Sequence, residues 1–125
     1  MHDLEFYVSE KGECPATEYL DGIQEKDRCK CLKWIQLLEE HGPQLHRPFA
    51  DYLKDGIYEL RTRFKNMQHR FLFFYHGKFI VVTHGFLKKS HAVEEREIEK
   101  ALDLKKDWLK RYKLKGGGTN EKGKI

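Results

Sequence analysis

The sequence predicts an α+β fold with the element order β-α-α-β-β-β-α: a twisted antiparallel sheet, two N-terminal helices on one face and a C-terminal helix. Three runs rich in aromatic and β-branched residues follow one another at positions 57–64, 69–76 and 79–86. The breaks between them have hairpin length, which favours antiparallel pairing. On either side of these runs, apolar residues recur at the three- and four-residue spacing of helices.

The N-terminal part of the chain contains one strand and two helices. Residues 4–8 alternate in polarity, which predicts the first strand. Pro15 suits the first turn of a helix. A second helix is predicted over residues 26–40, because Gly42 follows its last turn. Residues 43–56, which hold two prolines and a glycine, are predicted to be a loop.

A final helix is predicted over residues 94–112. Its first turns are acidic and its end is basic, which matches the helix dipole. Residues 1–112 are therefore expected to form a single domain. Residues 113–125 contain three consecutive glycines and no apolar periodicity, which predicts a flexible basic tail.

Length and composition restrict the class of protein. A chain of 125 residues has the usual size of one domain. The sequence has three cysteines, which is an odd number, and shows no signal peptide. Both observations argue against a disulfide framework. Cys29 and Cys31 have no partner pair at zinc-binding spacing, so no metal site is expected. No apolar run reaches the ~20 residues of a membrane span. We expect a cytoplasmic protein.

The most informative feature is a stretch without acidic residues. Between Leu60 and Val93 there is no Asp or Glu, so this stretch carries +7 while the remainder of the chain carries −3. A positive field of this kind attracts polyanions, of which nucleic acid is the commonest. The seven cations are Arg61, Arg63, Lys65, Arg70, Lys78, Lys88 and Lys89.

The predicted hairpins place several of these arginines on one face of the sheet. With two-residue turns, Arg63 lies opposite Arg70 and Arg61 lies opposite Leu72, and alternation directs all three arginines to one side. Directly opposed arginines repel each other unless an anion lies between them. Arg70 interrupts an apolar strand, where a charge is costly without a partner. For Arg61 and Arg63, a role in structure or solubility is as well supported by the residues as a role in binding an anion.

The histidines are predicted to have other roles. His84 falls on the sheet face that packs against the paired helices, which favours a hydrogen-bonded core histidine over a catalytic one. His69 and His76 lie at predicted turns, which favours solvated surface. Lys88 and Lys89 follow the last strand, at the rim of the arginine-bearing face. Charge runs are usually solvated, but this position favours a functional role.

Several motifs resemble the RelE/ParE toxin superfamily, and most closely its phage-derived, HigB-like branch. The resemblance covers residues 4–112 in order. The motifs are Asp55-Gly56-Ile57-Tyr58-Glu59-Leu60-Arg61, Arg70 within an aromatic strand, His84-Gly85-Phe86-Leu87-Lys88-Lys89, and Glu97-Ile98-Glu99-Lys100-Ala101.

The resemblance implies the toxin of a type II toxin–antitoxin pair and a RelE-like fold. Many such toxins cleave messenger RNA on the ribosome without a metal or cofactor, when a ribose 2′-hydroxyl attacks the adjacent phosphate. Arg70 matches the family's phosphate-stabilising strand arginine, Arg61 the arginine that commonly follows Glu-Leu, and Lys88 the first of the basic pair after the last strand. We assign catalytic roles to Arg70, Arg61 and Lys88. His91 is assigned here to proton transfer or base stacking. The expected RNA-binding residues are Arg63, Lys65 and Lys89.

The resemblance also implies partners and leaves alternatives. The inhibitor would be a helix-turn-helix antitoxin, held in a hetero-oligomer with the toxin. The ParE-like branch shares the fold but targets DNA gyrase, and a non-catalytic module that binds operator DNA with its antitoxin is a third possibility. Two departures bear on mechanism: Glu59 stands where some RelE-like toxins have a catalytic lysine, and Val93-Glu94 replaces a common Thr-Pro.

Overall fold

The computed structural model describes residues 2–115. It contains one five-stranded sheet in the order β1-β5-β4-β3-β2. Neighbouring strands are antiparallel except β1 and β5, which are parallel. The strands are β1 (Asp3–Phe6), β2 (Ala50–Lys54), β3 (Ile57–Phe64), β4 (Met67–His76) and β5 (Phe79–Leu87). The helices are α1 (Pro15–Asp21), α2 (Glu25–His41) and α3 (Glu95–Leu114), with a short 3₁₀ helix at Gly42–Gln44. The predicted α+β class is confirmed.

Helices cover both faces of the sheet. Leu20 of α1 and Leu38 of α2 pack with Phe71 and Phe73 in one apolar cluster. Trp108 and other residues of α3 pack in a second cluster on the opposite face. This double coverage explains why residues 71–75 of β4 form a continuous apolar run, because both faces of the strand are buried there.

The predicted loop over residues 43–56 was wrong, because it contains the edge strand β2. Asp55-Gly56 forms the two-residue turn into β3, and both residues have positive φ (52° and 83°). Positive φ at both central positions is the geometry for which Asp-Gly is favoured in hairpins. The strand was obscured by its short length and by Pro48 just before it.

The register of the β3–β4 hairpin was also wrong, by two residues. Phe64 pairs with Met67, so the turn is Lys65-Asn66, and Arg61 rather than Arg63 lies opposite Arg70. Lys65 adopts a positive φ of 55° in this turn. Because side chains alternate with a period of two, the slip leaves every residue on its predicted face.

A β-bulge at Thr83 changes the faces of the last strand. Leu72 pairs with His84 while Phe73 pairs with Val82, so Thr83 is the extra residue. The Thr83 hydroxyl donates a 3.2 Å hydrogen bond to the Leu72 carbonyl, which stabilises the irregularity. Beyond the bulge, even-numbered residues of β5 turn from the α1/α2 side to the α3 side of the sheet.

The C-terminal helix extends two residues beyond its predicted end, so Lys113 and Leu114 belong to α3 rather than to the tail. The rest of the predicted tail, residues 116–125, lies outside the described residues. Within residues 2–115, no helix combines the length and the apolar character that crossing a membrane requires.

Candidate nucleic-acid interface

Four cations converge on the face of the sheet that also packs on α3. Arg61 lies directly opposite Arg70, Arg63 lies opposite Gln68, and the Lys88 N–H donates to the Gln68 carbonyl. Along β4, Leu72 and Phe74 pack in one cluster with α3. Arg70 precedes them on the same face of the strand. We call the surface formed by Arg61, Arg63, Arg70 and Lys88 the basic face.

An internal carboxylate lies between the two opposed arginines. Glu59 Oε2 accepts hydrogen bonds from Arg61 Nε and Nη2 at 3.1 and 2.9 Å, and Oε1 accepts one from Arg70 Nε at 3.1 Å. Asp51 adds a second, longer contact of 3.4 Å to Arg61. The anion that the opposed arginines require is therefore supplied, at least in part, by the protein itself.

Arg70 is held rigidly. Its side chain is only 6% exposed, and its Nη atoms donate to the His69 carbonyl at 3.3 Å and to Gln68 Oε1 at 3.0 Å. Burial lowers the pKa of the guanidinium, while Glu59 raises it. A guanidinium has five N–H donors, so these three bonds leave N–H groups for a further acceptor.

Lys88 is influenced by the other cations of the basic face. Its pKa is lowered first by burial and then by the positive charges of Arg70, Arg61 and Arg63, against the opposing effect of Glu59. The arginines affect the pKa of Lys88 only because the fold places Lys88 beside them. Without the bulge at Thr83, alternation would direct Lys88 to the other side of the sheet.

The remaining predicted site residues lie at the periphery. Lys65 is exposed in the hairpin turn, with its Nζ 5.5 Å from the centre of the Phe64 ring. Lys89 and His91 are exposed in the loop between β5 and α3. Lys89 lines a groove of about 300 Å³ together with Lys88. His91 is not brought into contact with the basic face.

A second groove lies where the basic face meets α2 and has a volume of about 380 Å³. Trp34 of α2 and Phe49, just before β2, stack with their ring centres 4.7 Å apart and their planes at 25°. Lys30 and the three arginines of the basic face also line it, together with Pro48 and Gln68. We call it the Trp34–Phe49 groove.

The chain matches a known protein family. Residues 18–106, most of the chain, match the model of a family described as phage-derived protein Gp49-like (DUF891). The chain belongs to the Gp49-like family. This family commonly consists of RelE-like toxins. A search of curated proteins found no match.

Two histidines of this Gp49-like protein are buried and hydrogen-bonded. His69 is buried rather than solvated: its Nδ1 is 2.5 Å from the Tyr19 hydroxyl and its Nε2 is 2.7 Å from Asp27 Oδ2. His84 is a buried, hydrogen-bonded histidine as predicted, but the bulge places it on the α3 side. There it contacts Glu97 Oε1 at 2.9 Å. Burial lowers the pKa of His84, although Glu97 opposes this.

Sequence reasoning missed two parts of the Gp49-like site. Alternation placed Glu59 on the same face as Arg61 and Arg70, but its role as the anion between these two arginines was not predicted. Trp34 and Phe49 were not connected, because Phe49 lies within the segment predicted as loop. The Asp-Gly turn was the available signal, since it predicts that the residues before it pair with β3.

Proposed function

We propose that this Gp49-like protein is the toxin of a type II toxin–antitoxin pair, and that it is a ribosome-dependent mRNA endoribonuclease of the HigB-like branch. The supporting observation is the convergence of Arg61, Arg63, Arg70 and Lys88 on one face. The proposed setting is the cytoplasm, with mRNA on the ribosome as substrate and a helix-turn-helix antitoxin as inhibitor. Family membership supports a toxin-like protein, and the basic face supports RNA as its target.

The proposed reaction is attack of a ribose 2′-hydroxyl on the adjacent phosphate. A new P–O2′ bond forms, the P–O5′ bond breaks, and the products are a 2′,3′-cyclic phosphate and a free 5′-hydroxyl. Negative charge increases on the phosphate oxygens as the oxygen attacks. Donors that are already in position stabilise this charge without reorganisation. Arg70 is such a donor, because Glu59 and Gln68 fix its orientation.

Two proton transfers complete the reaction. Lys88 is proposed to protonate the leaving 5′-oxygen, since burial and then the nearby cations lower its pKa and so make the ammonium a stronger acid. His91 is proposed to accept the proton of the 2′-hydroxyl. It is exposed to solvent and lies three residues after Lys88 in the same loop.

Cleavage of mRNA on programmed ribosomes tests this proposal. Lys88→Ala is expected to lower the cleavage rate at least about tenfold, as loss of one charge-stabilising or proton-transferring group does. Lys78→Ala is the matched control, because Lys78 belongs to the same acid-free stretch but pairs with Asp3 at the far end of the sheet. Equal loss in both variants, or in neither, would remove Lys88 from the mechanism. Free RNA is expected to be cut poorly.

Arg70→Ala is also expected to lower cleavage at least about tenfold. The same change removes a partner of buried Glu59, so its stability must be measured beside its activity. Arg70→Lys keeps the charge but loses the forked geometry. Retained stability with lost cleavage in Arg70→Lys supports a role at the phosphate, whereas full cleavage contradicts it.

A second candidate is a non-nuclease toxin that binds a protein such as DNA gyrase. The observation in its favour is that Glu59 already neutralises much of the charge of Arg61 and Arg70. Under this alternative, growth arrest would occur without new mRNA ends, and Lys88→Ala would remain toxic. Primer-extension mapping of transcripts after induction distinguishes the two functions.

A further inference from the structure

We propose that the Trp34–Phe49 groove is a stacking subsite for one unpaired RNA base. This inference rests on the proposed function and deepens it, because it assigns a base-binding role to residues outside the basic face. The groove adjoins the arginines proposed to hold the scissile phosphate. A base stacked here would belong to a nucleotide next to the cleavage site.

The aromatic pair provides the stacking surface. The two rings are already nearly parallel, and Phe49 remains 41% exposed. The Phe49 backbone is fixed because its carbonyl accepts a 2.8 Å hydrogen bond from the Arg61 N–H. A rigid, exposed aromatic ring loses little conformational freedom when a base stacks on it. Such platforms are tolerant of sequence, because every base has a flat π-face.

The charges around the rings favour a nucleotide over an apolar side chain. Lys30 and Arg63 are exposed, and Arg61 and Arg70 line the same groove. Single-stranded nucleic-acid sites combine a positively charged path for the backbone with aromatic rings for the bases. The volume of about 380 Å³ lies within the range of sites that enclose a small ligand, about 300–1,000 Å³.

A binding experiment tests the subsite without requiring turnover. The probe is a short single-stranded 2′-O-methyl RNA, which cannot be cleaved because the attacking hydroxyl is blocked. Its partner probe is an abasic chain of the same length and charge. The full chain is expected to bind the base-containing probe at least about fivefold more tightly, as one stacked base does. Phe49→Ala is expected to abolish this preference and leave affinity for the abasic chain unchanged.

Tyr52→Ala is the matched control, because Tyr52 is an aromatic residue of β2 that lies outside this groove and is at least as exposed as Phe49 (52% against 41%). It should retain the preference. Trp34→Phe, which preserves a stacking ring, should retain most of it. Unchanged affinity of Phe49→Ala for the abasic chain guards against misfolding as the explanation for its lost preference.

Equal affinity of the unaltered protein for the two probes, or no binding of either, would overturn the inference. So would an unchanged preference in Phe49→Ala. If Phe49→Ala instead weakens only the complex with a co-expressed antitoxin, the groove binds protein and the inference is wrong. Failure of ribosome-dependent cleavage would refute the proposed function separately, since the probe experiment does not depend on cleavage.

Discussion

Replacing Glu59 with glutamine is expected to lower the free energy of unfolding by about 3 kcal/mol. The carboxylate is buried and bridges two opposed arginines, accepting from Arg70 Nε at 3.1 Å and from Arg61 Nη2 at 2.9 Å. Glutamine has nearly the same shape, but it removes the charge and directs an NH₂ group at one guanidinium. Two cations would then face each other across the strand pair without their anion.

The magnitude follows from the unequal burial of the two arginines. Removing one partner of a buried ion pair costs about 3–5 kcal/mol, because a charge is left uncompensated. This applies to Arg70, whose side chain is 6% exposed. Arg61 is 32% exposed and keeps its contact with Asp51. Losing its ion pair with Glu59 therefore costs only as much as losing a surface pair, about 0–1 kcal/mol. The amide oxygen of glutamine can still accept a hydrogen bond, which places the expected loss of stability near the lower end of the range of about 3–5 kcal/mol.

Urea unfolding followed by far-UV circular dichroism measures this effect. Asp51→Asn is the matched control and should cost less than about 1 kcal/mol, since Asp51 contacts the more exposed arginine. Sulfate at about 0.1 M should stabilise Glu59→Gln more than the unaltered protein, because the anion binds only the folded state and replaces the missing charge. A Glu59→Gln variant within about 1 kcal/mol of the parent, with no added response to sulfate, would refute the reasoning.

Three further predictions concern the residues that support the site. Tyr19→Phe should destabilise the fold by about 1–3 kcal/mol, because it leaves a nitrogen of buried His69 without its partner. Gly85→Ala should cost about 1–3 kcal/mol, since a Cβ there would lie only 2.5 Å from an aromatic ring. The depressed pKa of His84 means that the unfolded chain binds its proton more readily, so stability should fall as pH drops below about 6.5. His84→Gln should flatten this fall.

Each of these predictions has a control measured by the same unfolding curves. Tyr112→Phe removes a hydroxyl that has no hydrogen-bond partner among residues 2–115 and should be nearly neutral. Gly22→Ala meets only ordinary contacts of 3.6 Å and should not destabilise. Stability of Gly85→Ala equal to that of Gly22→Ala would show that the strand relaxes freely. For His84, parallel pH dependences of parent and variant would mean that another group titrates.

Much of the fold follows from local patterns in the sequence. Helix periodicity and strand alternation are set by neighbouring residues, and they identified three helices, four of the five strands and the α+β class. Alternation also placed Arg61, Arg63 and Arg70 on one face. That result survived a two-residue error in register, because the period of a strand is two.

Tertiary structure decided the features that depend on distant residues. The edge strand β2 exists because it pairs with β3, and its own short sequence is weakly strand-like. The extra residue Thr83 is defined only by pairing with β4, yet it determines that Lys88 joins the arginines. The sequence by itself determined that this protein has a concentrated positive charge. Only the packed sheet decided that Glu59 compensates part of that charge and that an aromatic pair lies beside it, because these contacts join residues far apart along the chain.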